Sequence, residues 1–277
     1  GWRTSTSPHL RKREQGRRVR QSTNRDIVMF GSIFRFELLY QLRNPVFIVT
    51  ALIFFLLTFG AVTLEDIQIG SGGNIHVNSP YAIAQTVLIM SLFYMFATTA
   101  FVANVVVRDD ESGFGPMVRS TRVSKFDYLL GRFTGAFVAA LAGFSSVPLA
   151  MLIGSQMPWL DQETLGPTAL GHYVHAFFVF GAPNVLITSA IFFAVACVAR
   201  SMMLSYVGVV VFLVLYFLLT GLAGSQPEYR DTIALFEPFG LGAFSDVTRY
   251  WSAEESNNLV AAFEGSVAYN RGLVLML

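Results

Sequence analysis

The sequence is poor in charge, in cysteine and in the short motifs that mark common catalytic sites. Asp, Glu, Lys and Arg make up only 13% of its 277 residues, about half of what a soluble domain carries. The single cysteine, Cys197, excludes an internal disulfide framework. The zinc motif His-Glu-x-x-His, the nucleophile motif Gly-x-Ser-x-Gly and the phosphate loop Gly-x-x-x-x-Gly-Lys-Ser/Thr are all missing. We therefore predict that the chain is not an enzyme and binds neither a cofactor nor ATP itself.

Long apolar runs account for most of the sequence. Apolar residues make up 53% of the chain, and the mean hydropathy is +0.53. A helix needs about 20 apolar residues to cross a bilayer. Runs of this kind are Val46–Leu64, Tyr81–Val107, Leu129–Gly154, Tyr173–Val198 and Ser205–Ala223, and a further one begins near Asn270. The predicted fold is an all-α polytopic membrane helix bundle with five complete transmembrane helices and the start of a sixth.

The positions of the basic residues predict which side of the membrane each loop faces. If the N-terminus is cytoplasmic, sixteen of the 19 Lys and Arg residues lie in inner segments, and the other three follow residue 224. Cytoplasmic loops carry such an excess of Lys and Arg. We therefore expect a multi-pass protein of a bacterial cytoplasmic (inner) membrane, with its N-terminus in the cytoplasm.

The two ends of the sequence differ from the rest. Residues 1–28 hold eight Lys or Arg and few apolar residues, and no secretory signal follows them. They are a basic disordered leader, an upstream stretch from a misassigned start, or a transit-like peptide; the first two readings are favoured. Their arginines are not interleaved with aromatic residues, so nucleic-acid binding is not expected. The chain opens on Gly1 and ends in an apolar run, so we expect the sixth span to be truncated.

Two segments that we expect on the cytoplasmic side are too polar to cross the membrane. Residues 30–43 form a predicted short helix ended by Asn44-Pro45, with Arg35 and Arg43 near one face, as in a helix that lies at a membrane interface. The alternative is a helical extension of the first span. Residues 108–132 form the one sizeable inner loop, with mixed charges and a predicted short helix over Met117–Ser124. Such a loop suits docking to a soluble partner, although it could equally be a solvated connector.

The outer segment 224–269 contains an apolar stretch, Ile233–Phe244, that is broken by Pro238, Gly240 and Gly242. It is too short to span, so a re-entrant pair of short helices and a small outer cap remain open. His172 and His175 could share a metal only with a third ligand, and we expect interfacial histidines instead. The pair Glu254-Glu255 lacks a partner base, so a protease site is not expected.

In its order of parts the sequence resembles the permease subunits of type-2 ABC transporters. Those permeases have an interfacial elbow helix, six spans, a coupling helix between spans two and three, and re-entrant helices before span six. The matching residues are Phe34-Arg35-Phe36-Glu37-Leu38 with Arg43-Asn44-Pro45, Glu111-x-Gly113, Arg119-Ser120-Thr121-Arg122-Val123-Ser124, Tyr128-Leu129-Leu130-Gly131-Arg132 and Glu237-Pro238-Phe239-Gly240. Arg122 departs from the proline of many relatives. Tyr250-Trp251 and Asn270-Arg271 are most similar to permeases that continue into an aminopeptidase-like domain.

The resemblance implies that residues 29–277 are a permease domain of an ATP-driven transporter, an exporter of an unidentified substrate. Its implied partners are a cytoplasmic ABC ATPase subunit, a second permease half and the lipid bilayer, with ATP bound by the ATPase. The elbow helix would carry Arg35, Glu37 and Arg43, the ATPase-coupling loop would run from Glu111 to Ser124, and the re-entrant segment would carry Glu237–Gly240. The alternative function is a non-transporting membrane anchor or scaffold for a fused or associated peptidase.

Overall fold

The computed structural model describes residues 29–64, 67, 69–111, 113, 125–225 and 227–276. Within these ranges the chain is helical, with one isolated β-bridge between Gly72 and Ile75 and no strand. The helices are α1 (29–43), α2 (Pro45–Thr63), α3 (Pro80–Glu111), α4 (Lys125–Phe144), α5 (Ser146–Gly154), α6 (Leu170–Ala176), α7 (Ala182–Ala199), α8 (Met202–Ser225), α9 (Pro227–Phe236), α10 (Leu241–Thr248), α11 (Ala253–Asn258) and α12 (Gly265–Met276).

Five helical units are long and apolar enough to cross a membrane. They are Pro45–Thr63, Pro80–Arg108, Phe126–Gly154, Leu170–Ala199 and Met202–Leu222. Each agrees with one of the five predicted runs to within three residues at either end. The prediction of an all-α polytopic bundle is confirmed, and the chain is a multi-pass membrane protein.

Two of the spans are interrupted next to proline. The third span is divided at Ser145 into α4 and α5, three residues before Pro148. The fourth span passes from α6 through a π-helical segment, Phe177–Gly181, into α7, whose second residue is Pro183. A proline has no N–H for the helical ladder and its ring crowds the carbonyl four residues earlier. The break and the π segment give the backbone room for each ring.

The second span, α3, is the central helix of the bundle. The buried share of its apolar stretch is 78%, whereas the buried share is 22% in α2 and 17% in the fifth span. It packs against α4, α7 and α8. Tyr94, at its middle, is fully buried between the rings of Phe54 and Phe144, 4.8 and 5.0 Å away, and its hydroxyl donates to the carbonyl of Ala140 at 2.8 Å. Most of the surface of the spans α2 and α8 is therefore not covered by the rest of the described chain.

Of three further segments predicted outside the spans, the structure describes one and leaves two undescribed. The broken apolar stretch Ile233–Phe244 does form parts of two short helices, α9 and α10, joined at residues 237–240. The short helix expected over Met117–Ser124 and the basic leader 1–28 lie outside the described residues.

Candidate functional site

Helix α1 turns Glu37 and Gln41 toward the bundle, while its largest exposed apolar side chains lie on the opposite side. Glu37 and Gln41 are 0% and 1% exposed, whereas Phe36 on the opposite side is 60% exposed. This is the reverse of a helix on the surface of a soluble protein. Asn44 separates α1 from the first span: its backbone is extended, and its side chain accepts a hydrogen bond from the Val46 N–H at 3.0 Å. α1 is therefore a separate helix and not an extension of the span.

The carboxylate of Glu37 is the centre of a buried ionic cluster. Its Oε2 accepts from Nη1 of Arg132 at 2.5 Å and from Nη2 of Arg108 at 2.7 Å. Its Oε1 accepts from Nε2 of Gln41 at 2.9 Å. A carboxylate can be buried only when charge and hydrogen bonds compensate for the lost water, and here two guanidinium groups and an amide supply that compensation.

The two arginines stand at either end of the inner loop. Arg108 lies in the last turn of α3, and its guanidinium stacks over the ring of Tyr40 at 3.9 Å. Arg132 lies in the second turn of α4 and is 4% exposed. Gln41 also donates to the carbonyl of Phe101 on α3 at 3.2 Å. One carboxylate of α1 therefore joins the two helices, α3 and α4, that residues 112–124 connect in sequence.

Two glycines of α4 let α1 approach closely enough to form this cluster. A Cβ at Gly135 would lie 2.8 Å from the Cβ of Glu37 and 3.0 Å from the carbonyl oxygen of Phe34. A Cβ at Gly131 would lie 3.0 Å from a methyl carbon of Ile33. Small residues four apart are a common means of close helix packing in membranes. The spacing Gly131-x-x-x-Gly135 thus sets the contact between α1 and α4.

The residues predicted for the coupling function are only partly described. Arg35 and Arg43 are exposed and take no part in the Glu37 cluster. Glu111 is the last residue of α3, and Gly113 is exposed with a φ of 66°. Arg119, Ser120, Thr121, Arg122, Val123 and Ser124 lie outside the described residues.

The predicted outer residues form a tight turn between α9 and α10. The carboxylate of Glu237 accepts from the N–H of Phe239 at 2.9 Å and from the N–H of Gly242 at 3.1 Å. Gly240 has a φ of 79°, a left-handed conformation that favours glycine. A Cβ there would also collide with the guanidinium of Arg271. Glu237 and Gly240 therefore shape the turn, and the carbonyls of Pro238 and Phe239 accept hydrogen bonds from α12 and α7.

A second buried polar cluster holds this turn against the bundle. Arg271 of α12 is 1% exposed; its Nη1 donates to Oδ1 of Asn184 at 2.5 Å and its Nη2 to the carbonyl of Pro238 at 3.2 Å. Nδ2 of Asn184 donates to Oγ of Ser91 at 2.7 Å and to the carbonyl of Phe239 at 2.9 Å. The cluster joins spans two and four, the outer turn and α12.

The amide of Asn270 completes the second cluster. Its Oδ1 accepts from Nε of Arg271 at 2.9 Å, and its Nδ2 donates to the carbonyl of Glu237 at 2.8 Å. Every acceptor of the Arg271 guanidinium is thus a neutral amide or carbonyl oxygen, and no carboxylate within the described residues forms an ion pair with it. Such a cluster can fix the outer segment in one position.

The histidine pair singled out in the sequence lacks a third metal ligand among the described residues, and Glu255 of the glutamate pair caps a helix. The described residues contain no group of three His, Cys, Asp or Glu side chains placed to hold a metal ion, and His172 and His175 stand without a third ligand. Glu255 belongs to a capping box at the start of α11: the Ser252 side chain accepts from its N–H, and its carboxylate accepts from the Ser252 N–H. The pair Glu254-Glu255 lies in the first turn of α11.

The sequence identified Glu37, Arg132, Glu237 and the pair Asn270-Arg271, but it predicted none of the contacts that these residues make. A further signal for the outer cluster was Asn184, a strongly polar residue within a long apolar run. Comparison of the chain with protein-family models and with curated proteins gives no match.

Proposed function

We propose that the chain is the membrane permease subunit of an ATP-driven ABC transporter, an exporter of the type-2 class. It would lie in a bacterial cytoplasmic membrane with its N-terminus inside. It would pair with a second permease half and with a separate ATPase subunit that binds and hydrolyses ATP. The proposal rests on the resemblance in the order of parts, from the interfacial helix through the inner loop to the outer short helices.

The Glu37 cluster is the observation that supports the proposal best. A loop pressed by an ATPase can drive a transporter only if its movement reaches the spans. Arg108 and Arg132 flank the inner loop and share the carboxylate of α1. Because Glu37 and Arg132 are buried and the Arg108 side chain is 22% exposed, separating the carboxylate from its arginines would leave uncompensated buried charge on Glu37 and Arg132. A force on the loop would therefore displace α1, α3 and α4 together.

The cluster of Asn184 and Arg271 would transmit a displacement of α3 to the outer side of the membrane. α3 carries Arg108 near its inner end and Ser91 farther along, where Ser91 accepts from Asn184. Asn184 binds Arg271 and the carbonyl of Phe239. A shift of α3 along its axis would consequently alter the contacts of the outer turn. In this proposal the central helix links the loop on one side to the short helices on the other.

Cross-linking tests the proposed ATPase contact. A photoactivatable cross-linker attached at Gly113→Cys, in a Cys197→Ser background, should capture in native membranes a protein that contains a Gly-x-x-x-x-Gly-Lys-Ser/Thr peptide, identified by mass spectrometry. The same label at Gly72→Cys, where a new Cβ meets nothing within 4 Å, is the matched control and should not capture it.

Charge reversal of the loop sharpens the experiment. The double variant Glu111→Lys/Arg119→Glu should reduce both the captured ATPase and ATP hydrolysis by the purified complex, whereas Glu264→Lys, an exposed acid of the outer segment, should leave both unchanged. Undiminished association and hydrolysis in the loop variant would count against a coupling role. Capture of a peptidase in place of an ATPase would favour the scaffold function.

A further inference from the structure

The outward face of α1 combines two arginines with a stripe of large apolar side chains. Arg35, Phe36, Leu39, Tyr40 and Arg43 are spaced one, three or four residues apart and so share one side of the helix. Phe36 is 60% exposed, and Leu39 and Tyr40 are each 40% exposed. The polar residues Glu37 and Gln41 occupy the opposite, buried side. An apolar stripe of this size on a membrane protein lies against lipid or against protein.

The charges on this face are of one sign and have no partner among the residues that the structure describes. α1 has three charged residues, and the one acid, Glu37, points inward to Arg108 and Arg132. Neither Arg35 nor Arg43 forms a hydrogen bond or ion pair with any residue that the structure describes. Because they are eight residues apart on a helix that rises about 1.5 Å per residue, about 12 Å separates their positions. The apolar side chains lie between them.

The start of α4 continues the apolar surface beside α1. Phe126 is 70% exposed, Leu129 44% and Leu130 38%. Gly131 of the same turn packs against Ile33 of α1, so the two exposed faces adjoin. A surface of this kind, with arginines at the margins and aromatic and aliphatic side chains inside, suits the boundary between lipid headgroups and acyl chains.

We propose that this face of α1 binds anionic phospholipid, with Arg35 and Arg43 each contacting a lipid phosphate and Phe36, Leu39 and Tyr40 lying among the upper acyl carbons. The occupant is the bilayer leaflet on the N-terminal side. The contact would fix the depth of α1, and through Glu37 it would make the position of α3 and α4 depend on the lipid composition of that leaflet. The inference needs only the membrane-spanning fold and does not depend on an ATPase.

Photolabelling in nanodiscs tests the inference on the full chain. The probes are phosphatidylglycerol and phosphatidylcholine that carry a diazirine at an upper acyl carbon, each diluted into phosphatidylcholine. After chymotryptic digestion, peptides from 29–43 should be labelled in clear excess by the phosphatidylglycerol probe. Each arginine near an anionic surface contributes roughly fivefold to binding, so Arg35→Gln/Arg43→Gln should lower the phosphatidylglycerol affinity by up to about 25-fold.

Two control variants separate the effect of location from the effect of charge. Arg249→Gln changes an exposed arginine of the outer segment and should leave the labelling of 29–43 unchanged. Arg35→Lys/Arg43→Lys keeps the charge and should retain most of the preference for phosphatidylglycerol. Equal labelling by the two probes in the wild-type protein would overturn the proposal, as would labelling confined to 1–28 or a phosphatidylglycerol preference that survives in Arg35→Gln/Arg43→Gln.

Discussion

Arg132 and Glu37 are 95 residues apart in the chain, yet Nη1 of the arginine lies 2.5 Å from Oε2 of the carboxylate, with both side chains buried. Arg108 shares the same oxygen from the end of α3. Such a pair is costly to separate, because each group would remain out of water without its counter-charge. We therefore regard α1 and the inner ends of α3 and α4 as one mechanical unit.

Removing the charge of Glu37 should destabilise the protein. In Glu37→Gln two guanidinium groups lose their shared anion, and breaking a buried pair of this kind costs about 3 kcal/mol. We expect the unfolding temperature in detergent to fall by roughly 5–10 °C. Glu264→Gln, at an exposed site, should change it by less than about 1 °C. An unchanged unfolding temperature for Glu37→Gln would mean that the cluster is not a structural link.

The close contact of α1 with α4 depends on Gly135. Its replacement by alanine would place a methyl group 2.8 Å from the Cβ of Glu37 and 3.0 Å from a backbone oxygen of α1, so α1 has to move away. We expect hydrogen exchange of α1 amides in Gly135→Ala to rise at least tenfold. Gly221→Ala, in α8, adds the same methyl group where nothing lies within 4 Å. Equal exchange of α1 in the two variants would contradict the proposed packing.

Alanine substitutions at Gly240 and Gly265 separate the cost of backbone strain from the cost of a steric collision with Arg271. Gly240 and Gly265 both have positive φ, at 79° and 52°, so alanine at either position costs about 1–2 kcal/mol of strain. Only at Gly240 would the new methyl group also displace the Arg271 guanidinium. Gly240→Ala should therefore lose about 2 kcal/mol more stability than Gly265→Ala, measured as chemical unfolding in detergent. Equal losses would show that the position of Arg271 does not matter.

The capping box at the start of α11 should lose its stabilising effect in acid. The hydrogen bond from the Ser252 N–H lowers the pKa of Glu255 below its usual range. A lowered carboxyl pKa means that the cap stabilises α11 at pH values above the ordinary carboxyl pKa of about 4.3, and that this stabilisation is lost as the pH falls through the lowered pKa. The fluorescence of Trp251, with Trp2 and Trp159 replaced by phenylalanine, should therefore change with a midpoint below about pH 4.3.

Two variants check the assignment of that transition. Glu255→Gln should abolish the fluorescence change, because no carboxylate remains to titrate in the cap. Ser252→Ala removes the hydroxyl that accepts from the Glu255 N–H and should move the midpoint upward. A transition that persists in Glu255→Gln belongs to another group.

The spans could be predicted from the sequence because each depends on a local property, the length of an apolar run. Twenty apolar residues in a row satisfy their own backbone hydrogen bonds and cross the hydrocarbon region, whatever the rest of the chain does. The predicted run Val46–Leu64 and the helix Pro45–Thr63 accordingly differ by one residue at each end. A proline inside a helix favours a kink, but nothing local determines that the helix breaks at Ser145 before Pro148 and forms a π segment before Pro183.

The two clusters could not be predicted because they depend on contacts between distant segments. Glu37 was placed on an interfacial helix, where a carboxylate would normally face water, and nothing local indicates that it turns inward. Asn184 and Arg271 are 87 residues apart, and their pairing requires the packing of α7 against α12. Gly135 looks ordinary in sequence, and its role is visible only once α1 lies against it.

The most direct test of the account is the side of the membrane on which the inner loop lies. A membrane-impermeant maleimide would be applied to intact cells that express Gly113→Cys or Gly72→Cys, each in a Cys197→Ser background. We predict that Gly72→Cys is labelled in intact cells and that Gly113→Cys is labelled only after the membrane is made permeable. Labelling of Gly113→Cys from outside intact cells would place the loop away from ATP and contradict the proposed coupling.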